Sequence, residues 1–230
     1  MLFVAGRLNE KRGGPSIIVP VEGDRWMVTL VGWFHDHPPD DDDGFLAFTR
    51  SLPVPDVYDA IRDAEPLSPI VLHKFPSNLR RRYERLTTMP DGLAVIGDAL
   101  CSFNPIYAQG MTTGAIGAHA LDETLTVHAK AHGRNDLRGF SQRFQRHLSH
   151  LIDTPWLLTT TEDLRSAEAE GTRPAWIPLV QWYTRRVQQL TWRDEFVGKR
   201  FLEVMHLTRT PRTLLHPYIL LRALAASEAH

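Results

Sequence analysis

Two glycines and one aspartate, Gly97, Asp98 and Gly110, have the spacing in this chain that bears most directly on chemistry. A short apolar run, Leu93-Ala94-Val95-Ile96, ends at Gly97-Asp98-Ala99. A loop with Asn104-Pro105 follows. Gly110 then opens a stretch of small residues: Thr112, Thr113, Gly114, Ala115, Gly117 and Ala118. The pattern predicts a strand, a turn carrying one acid, and a helix. A helix N-terminus leaves backbone N–H groups unpaired and carries partial positive charge. Glycines let a ligand come against the backbone. Something flat or phosphorylated suits such a place. The plainer reading is an ordinary strand-turn-helix, with Asp98 as a turn residue or cap.

Gly97, Asp98, Ala99, Pro105, Gln109, Gly110 and Met111 together resemble the second flavin-binding motif of the FAD-dependent aromatic hydroxylase-like monooxygenases. Ala108 departs from the pattern, which usually has glycine there. The resemblance implies FAD as cofactor and NAD(P)H as reductant. It implies that the helix end faces the pyrimidine side of the flavin ring. Asp98 would then contact the ribityl chain, and Ala108, Gln109, Gly110 and Met111 would line the ring. It further implies a flavin C4a-hydroperoxide that oxidises an apolar or aromatic small molecule. Trp26, Trp33 and Arg81 are the substrate-side candidates. No acid–base dyad or nucleophile stands out, as expected where the cofactor carries the chemistry. At Ala108 the retained side chain predicts negative φ, since a left-handed alanine costs on the order of 1 kcal/mol.

The G-x-G-x-x-G fingerprint of a dinucleotide-binding fold is missing. Gly13-Gly14 is followed by Pro15 and a strand-like run, and Asp91-Gly92 lies in the wrong place for the family's Asp-Gly motif. The flavin-like motif starts before the midpoint of the chain, whereas in the family it lies far along. The expectation is therefore the C-terminal portion of a longer flavoprotein, lacking the ADP-binding Rossmann unit. The alternative is a truncated, non-catalytic remnant that binds FAD weakly or not at all and acts as a structural or dimerisation module.

The expected fold class is α+β: a partial, mostly antiparallel substrate-domain sheet over residues 1–88, the strand-loop-helix motif over 89–131, and a helical region over 132–230. Ile17 to Val21 and Trp26 to Val31, separated by Glu22-Gly23-Asp24, predict a hairpin whose second strand is covered on both faces. Asp43 is the expected cap of a helix from Gly44, with Phe45, Phe48 and Leu52 on its apolar side. A second short helix is expected over Val54 to Asp63, with Pro55 in its first turn. Further strands are expected at Pro69–Phe75, Tyr83–Thr88 and Leu93–Ile96. Leu137, Phe140, Phe144, Leu148 and Leu151 mark an amphipathic helix. Helical stretches follow near Trp176–Leu190 and Arg193–Met205, with Pro211 and Pro217 breaking the tail.

The 230 residues are 43% hydrophobic and 23% charged, with a net charge of -1, an ordinary globular composition. That balance gives no electrostatic footprint for nucleic acid. One cysteine, Cys101, excludes an internal disulfide and fits a reducing, cytoplasmic setting; a buried filler is its expected role. No run reaches the ~18 apolar residues of a membrane span. Met1 to Ala5 is too short for a signal peptide and reads as a strand. The apolar run Pro217 to Ala226 suits a buried or interfacial helix.

Other constellations carry less. His35-Asp36-His37 beside Asp40–Asp43 could hold a metal, but a proline pair follows and acidic loops are usually solvated; no metal site is assigned. Ser149, His150 and Asp153 lack a nucleophile-elbow context. Arg80-Arg81-Arg82, with Tyr83 and Arg85, is the one basic cluster, and a strand here would put Arg81, Tyr83 and Arg85 on one face. Trp156, Trp176, Trp182 and Trp192 in the helical tail read as core or interface anchors, with the wall of an apolar substrate pocket as the alternative.

Overall fold

The computed structural model describes residues 3–5, 16–34 and 36–225. The fold is α+β, with seven α-helices and two small antiparallel sheets among the described residues. The chain divides into two compact units, Met1–Phe75 and Pro76–His230.

In the first unit, β1 (Phe3–Ala5), β2 (Ser16–Val21) and β3 (Arg25–Leu30) form a three-stranded antiparallel sheet in that order. The expected hairpin forms, with Val21 opposite Arg25. Gly23 supplies the positive φ its turn requires, at 79°. β3 is not covered on both faces, since Trp26 and Met27 are about half exposed. Two short helices, α1 (Asp42–Arg50) and α2 (Asp56–Ile61), close the core of Ile18, Leu52 and Val57. Asp41, not Asp43, caps α1: its Oδ1 accepts from Gly44 N at 2.8 Å, and Asp43 sits inside the first turn. Pro55 lies just before α2, not within it.

Residues 69–75 form no strand. Val71 and Leu72 are exposed, and a strand with no neighbour leaves its backbone groups to water.

The second unit opens with a two-residue ladder, β4 (Leu79–Arg80) against β5 (Cys101–Ser102). Tyr83–Arg85 is a 3₁₀ turn instead of a strand, closed by Leu86 N donating to Tyr83 O at 3.1 Å. Its core is built by α3 (Gly110–His132) and α4 (Phe140–Asp163). α3 buries Thr113, Gly117, Ala120, Thr124 and His128 at helical spacing, a stripe of mostly small residues. α4 meets it with Phe140, Phe144, Leu148 and Ile152. Ile152 takes the inward place expected for Leu151, because the buried positions continue by fours from Leu148. Leu137 precedes the helix. A second core, around Val187, Leu190, Val197, Val204, Leu214, Ile219 and Ala223, joins α5 (Ile177–Thr191), α6 (Glu195–Met205) and α7 (Pro217–Ala225). Among the described residues, no helix is long and apolar enough to cross a membrane.

Ile96, at the end of the run Leu93–Ile96, lies against α3. A Cβ added to Gly117 would meet Ile96 at 3.4 Å and Leu148 at 3.8 Å, so only a very small residue fits there. Gly117→Ala should therefore be nearly neutral in urea denaturation, because contact is tight but helix propensity improves by roughly 1 kcal/mol. Gly117→Leu should lose about 1–3 kcal/mol by overpacking. Equal stability of the two variants would contradict this packing.

Candidate functional site

The segment from Leu93 to Gly114 folds as two 3₁₀ turns leading into a helix start. Ile96 ends extended, and Gly97 turns the chain at φ +60° into a 3₁₀ turn over Gly97–Ala99. That φ is glycine's to adopt, which accounts for Gly97. The chain then passes through buried Cys101 and Phe103 and makes a second 3₁₀ turn over Pro105–Tyr107. Asn104 caps that turn, its Oδ1 accepting from Ile106 N at 3.2 Å, and Pro105 takes the first position. α3 starts at Gly110, as the residue pattern predicts.

The expected strand Leu93–Ile96 does not form a ladder. Ala94, Val95 and Ile96 make no backbone–backbone hydrogen bond among the described residues. The Val95 carbonyl instead accepts from Gln145 Nε2 at 2.9 Å. A strand needs a neighbour with free backbone groups, and none of the described residues supplies one here.

The open features gather at the α3 N-terminus. A Cβ placed on Gly97 or Gly114 would meet nothing within 4 Å. On Gly110 it would meet only Asp98 Oδ1, at 3.8 Å. Asp98 is exposed, and its carboxylate has no hydrogen-bond partner among the described residues. Met111, in the first turn of α3, is 90% exposed. The structure thus brings Gly97, Asp98, Gly110 and Met111 together around one helix start. Ala99 and Pro105 are exposed on the adjoining turns.

Two residues of the predicted set behave differently. Gln109 is buried, with its Nε2 donating to Met205 O at 3.0 Å. Its Oε1 is buried without a partner, so this side chain ties α3 to the end of α6 instead of facing the open surface. Ala108 is left-handed, at φ 51° and ψ 31°, which overturns the negative φ expected from its side chain. Its N–H closes the preceding turn on Pro105 O at 3.0 Å. The turn geometry fixes the backbone here whatever residue occupies it.

A half-buried polar network holds this loop. Tyr107 Oη donates to Asp163 Oδ1, and Asn78 Nδ2 donates to Asp163 Oδ2. Asn78 Oδ1 accepts from Asn104 N at 2.6 Å, which fixes the orientation of the amide. Burial holds the Asp163 carboxyl above the usual carboxylate range, against the pull of its two donors, and burial also pushes the Tyr107 phenol up. The sequence gives little sign of this, because the partners lie 85 and 56 positions apart. Cys101 is buried, its thiol pushed up to about 12 chiefly by desolvation, in keeping with a filler.

Arg80 and Arg81 of the basic cluster each hold a neighbouring element. The Arg80 side chain is 3% exposed and donates to Ser149 O and Oγ and to Asp153 Oδ1, the last at 2.7 Å. Ser149 and Asp153 are thus partners of Arg80, and His150 lies 3.8 Å from Asp153 on the exposed side. Arg81 donates to the carbonyls of Asp98 and Ala99, at 3.3 and 3.1 Å, and so braces the motif turn from behind. With a 3₁₀ turn at Tyr83, the face expected to join Arg81, Tyr83 and Arg85 is lost; Tyr83 packs on the core. Trp26 and Trp33 belong to the first unit. Trp33 has a buried Nε1 without a partner, and Trp26 is half exposed. His35 lies outside the described residues, and among those described no group of three metal-ligating side chains occurs.

No protein-family model matches the chain. It is 27% identical over 197 residues to a Mycobacterium tuberculosis protein named Protein Rv3254. The match covers 86% of this chain and 39% of that protein, so the chain spans about two fifths of its relative's length.

Two outcomes follow from the loop. Ala108→Gly should raise stability by about 0.5–1 kcal/mol in urea denaturation, because glycine relieves the left-handed cost less its own chain entropy. A loss of stability would contradict the left-handed turn. Asp163 has its folded pKa raised, so its contribution is fullest below the ordinary carboxylate range and is lost as pH rises through the raised value. Relative to Asp163→Asn, the native chain should therefore lose stability from about pH 4 upward and then level off. A difference independent of pH would refute the burial argument.

Proposed function

We propose that the segment from Leu93 to Gly114 is the ring-side half of a flavin site in an oxidoreductase acting on an apolar or aromatic small molecule. The observation that carries this reading is the uncovered, glycine-lined start of α3 with the Asp98 carboxylate beside it. Gly97 and Gly114 leave room for a flat ring against the backbone. The unpaired N–H groups and partial positive charge of a 23-residue helix favour negative charge at that place. Asp98 accepts hydrogen bonds from hydroxyls, as a ribityl chain would offer. Met111 covers apolar ligand surface. Arg81 holds the carbonyls of the Asp98 turn, so the carboxylate stays positioned without spending its own oxygens. FAD, when bound, would supply the redox chemistry, passing electrons from a nicotinamide to oxygen.

The residues present fit the ring side of the cofactor and offer no phosphate-binding glycine loop. We infer that an ADP-binding unit completes the site and pairs with the extended run 94–96, whose backbone groups have no ladder partner among the described residues. The relative's greater length supports that arrangement. On this reading the chain alone purifies colourless and holds FAD weakly.

Flavin fluorescence titration at high protein concentration tests this. Asp98→Ala should weaken FAD affinity about tenfold, the worth of one or two hydrogen bonds. Identical affinity in the variant, or no interaction at any concentration, would remove the assignment.

A further inference from the structure

The second core of the helical region carries an outer face that the flavin reading does not use. Trp192, between α5 and α6, is 92% exposed. On α7, Leu221 and Leu224 are 68% and 62% exposed, although Ile219 and Ala223 of the same helix are buried. The turn after Trp192 adjoins α7. Asp194, two residues after Trp192, accepts from Tyr218 Oη at 2.7 Å and pairs with Arg222 at 3.4 Å. α7 thus buries Ile219 and Ala223 and turns Leu221 and Leu224 outward, and the turn that carries Trp192 is tied to the same helix through Asp194.

The net charge on this part of the chain is positive. Residues 176–225 carry eight Lys or Arg and three Asp or Glu, although the whole chain is at -1. Two of the three acids are already engaged: Asp194 by Arg222, and Glu203 by Arg200 and Arg209. Arg193 and Arg212 are exposed and make no ion pair among the described residues. Leucines, an indole and a phenol beside unneutralised arginines match the boundary between acyl chains and anionic headgroups. With nine residues, α7 is too short to span a bilayer and has the length to lie in its surface.

We propose that the Trp192–α7 face docks on an anionic phospholipid surface. Leu221 and Leu224 enter the acyl boundary, Trp192 and Tyr218 sit at headgroup level, and Arg193 and Arg212 meet lipid phosphates. The proposal stands on this face alone and does not depend on flavin binding.

Co-sedimentation of the full chain with vesicles of phosphatidylglycerol and phosphatidylcholine in equal parts tests it, against vesicles of phosphatidylcholine alone. Binding is expected to the anionic vesicles, to fall steeply with salt, and to blue-shift tryptophan emission. Leu221→Glu/Leu224→Glu should lower the partition at least about tenfold. Trp192→Ser, at a fully solvated position, provides a second variant with no risk to the core. A folded chain that ignores anionic vesicles, or variants that bind as the native chain does, overturns the proposal. So does sedimentation velocity showing that this face pairs two copies of the chain and leaves the lipid untouched.

Discussion

The close approach of the extended run Leu93–Ile96 to α3 is the contact on which the candidate site depends. Gly117 makes it possible by presenting bare backbone to Ile96. The small stripe of Thr113, Gly117, Ala120 and Thr124 then lets α3 settle on the aromatic stripe of α4. Once α3 is held this way, its N-terminus and the Gly97 turn must end side by side. Gln145, from α4, locks the arrangement from the other side by taking the Val95 carbonyl. The core thus sets where Asp98 and Gly110 meet, and the loop between them only closes the circuit.

That loop is held firmly enough to keep an unfavourable residue. Ala108 is left-handed next to the helix start, and the positions around it are over-determined. Tyr107 is bound to Asp163, Gln109 is bound to Met205, and Asn104 is tied to Asn78. Strain of this kind persists where the surroundings dictate the backbone. At Ala108 the hydrogen bonds that close the turn outweigh alanine's own preference for negative φ, and those bonds are not visible in the local sequence.

Much of the site was legible and some was not, for physical reasons. Gly97, Asp98 and Gly110 could be placed because turn and helix-start chemistry is local. The hairpin around Gly23 and the Phe140-Phe144-Leu148 stripe were legible for the same reason. Strand assignments at Pro69–Phe75, Tyr83–Thr88 and Leu93–Ile96 failed because apolar, β-branched runs describe a strand only when a partner exists. Arg80 and Asp163 were hidden because their partners lie far off in sequence, and burial, not local pattern, gives them their roles.

The proposed flavin ring would lie on one surface, from residue 94 to the first turns of α3. Hydrogen–deuterium exchange with saturating FAD measures it most directly, because it reports on the backbone groups that would meet the ligand. Exchange should slow at residues 97–99 and 110–114, with the amides of α5 to α7 unchanged. Protection confined to other regions, or none at any FAD concentration, would contradict that placement.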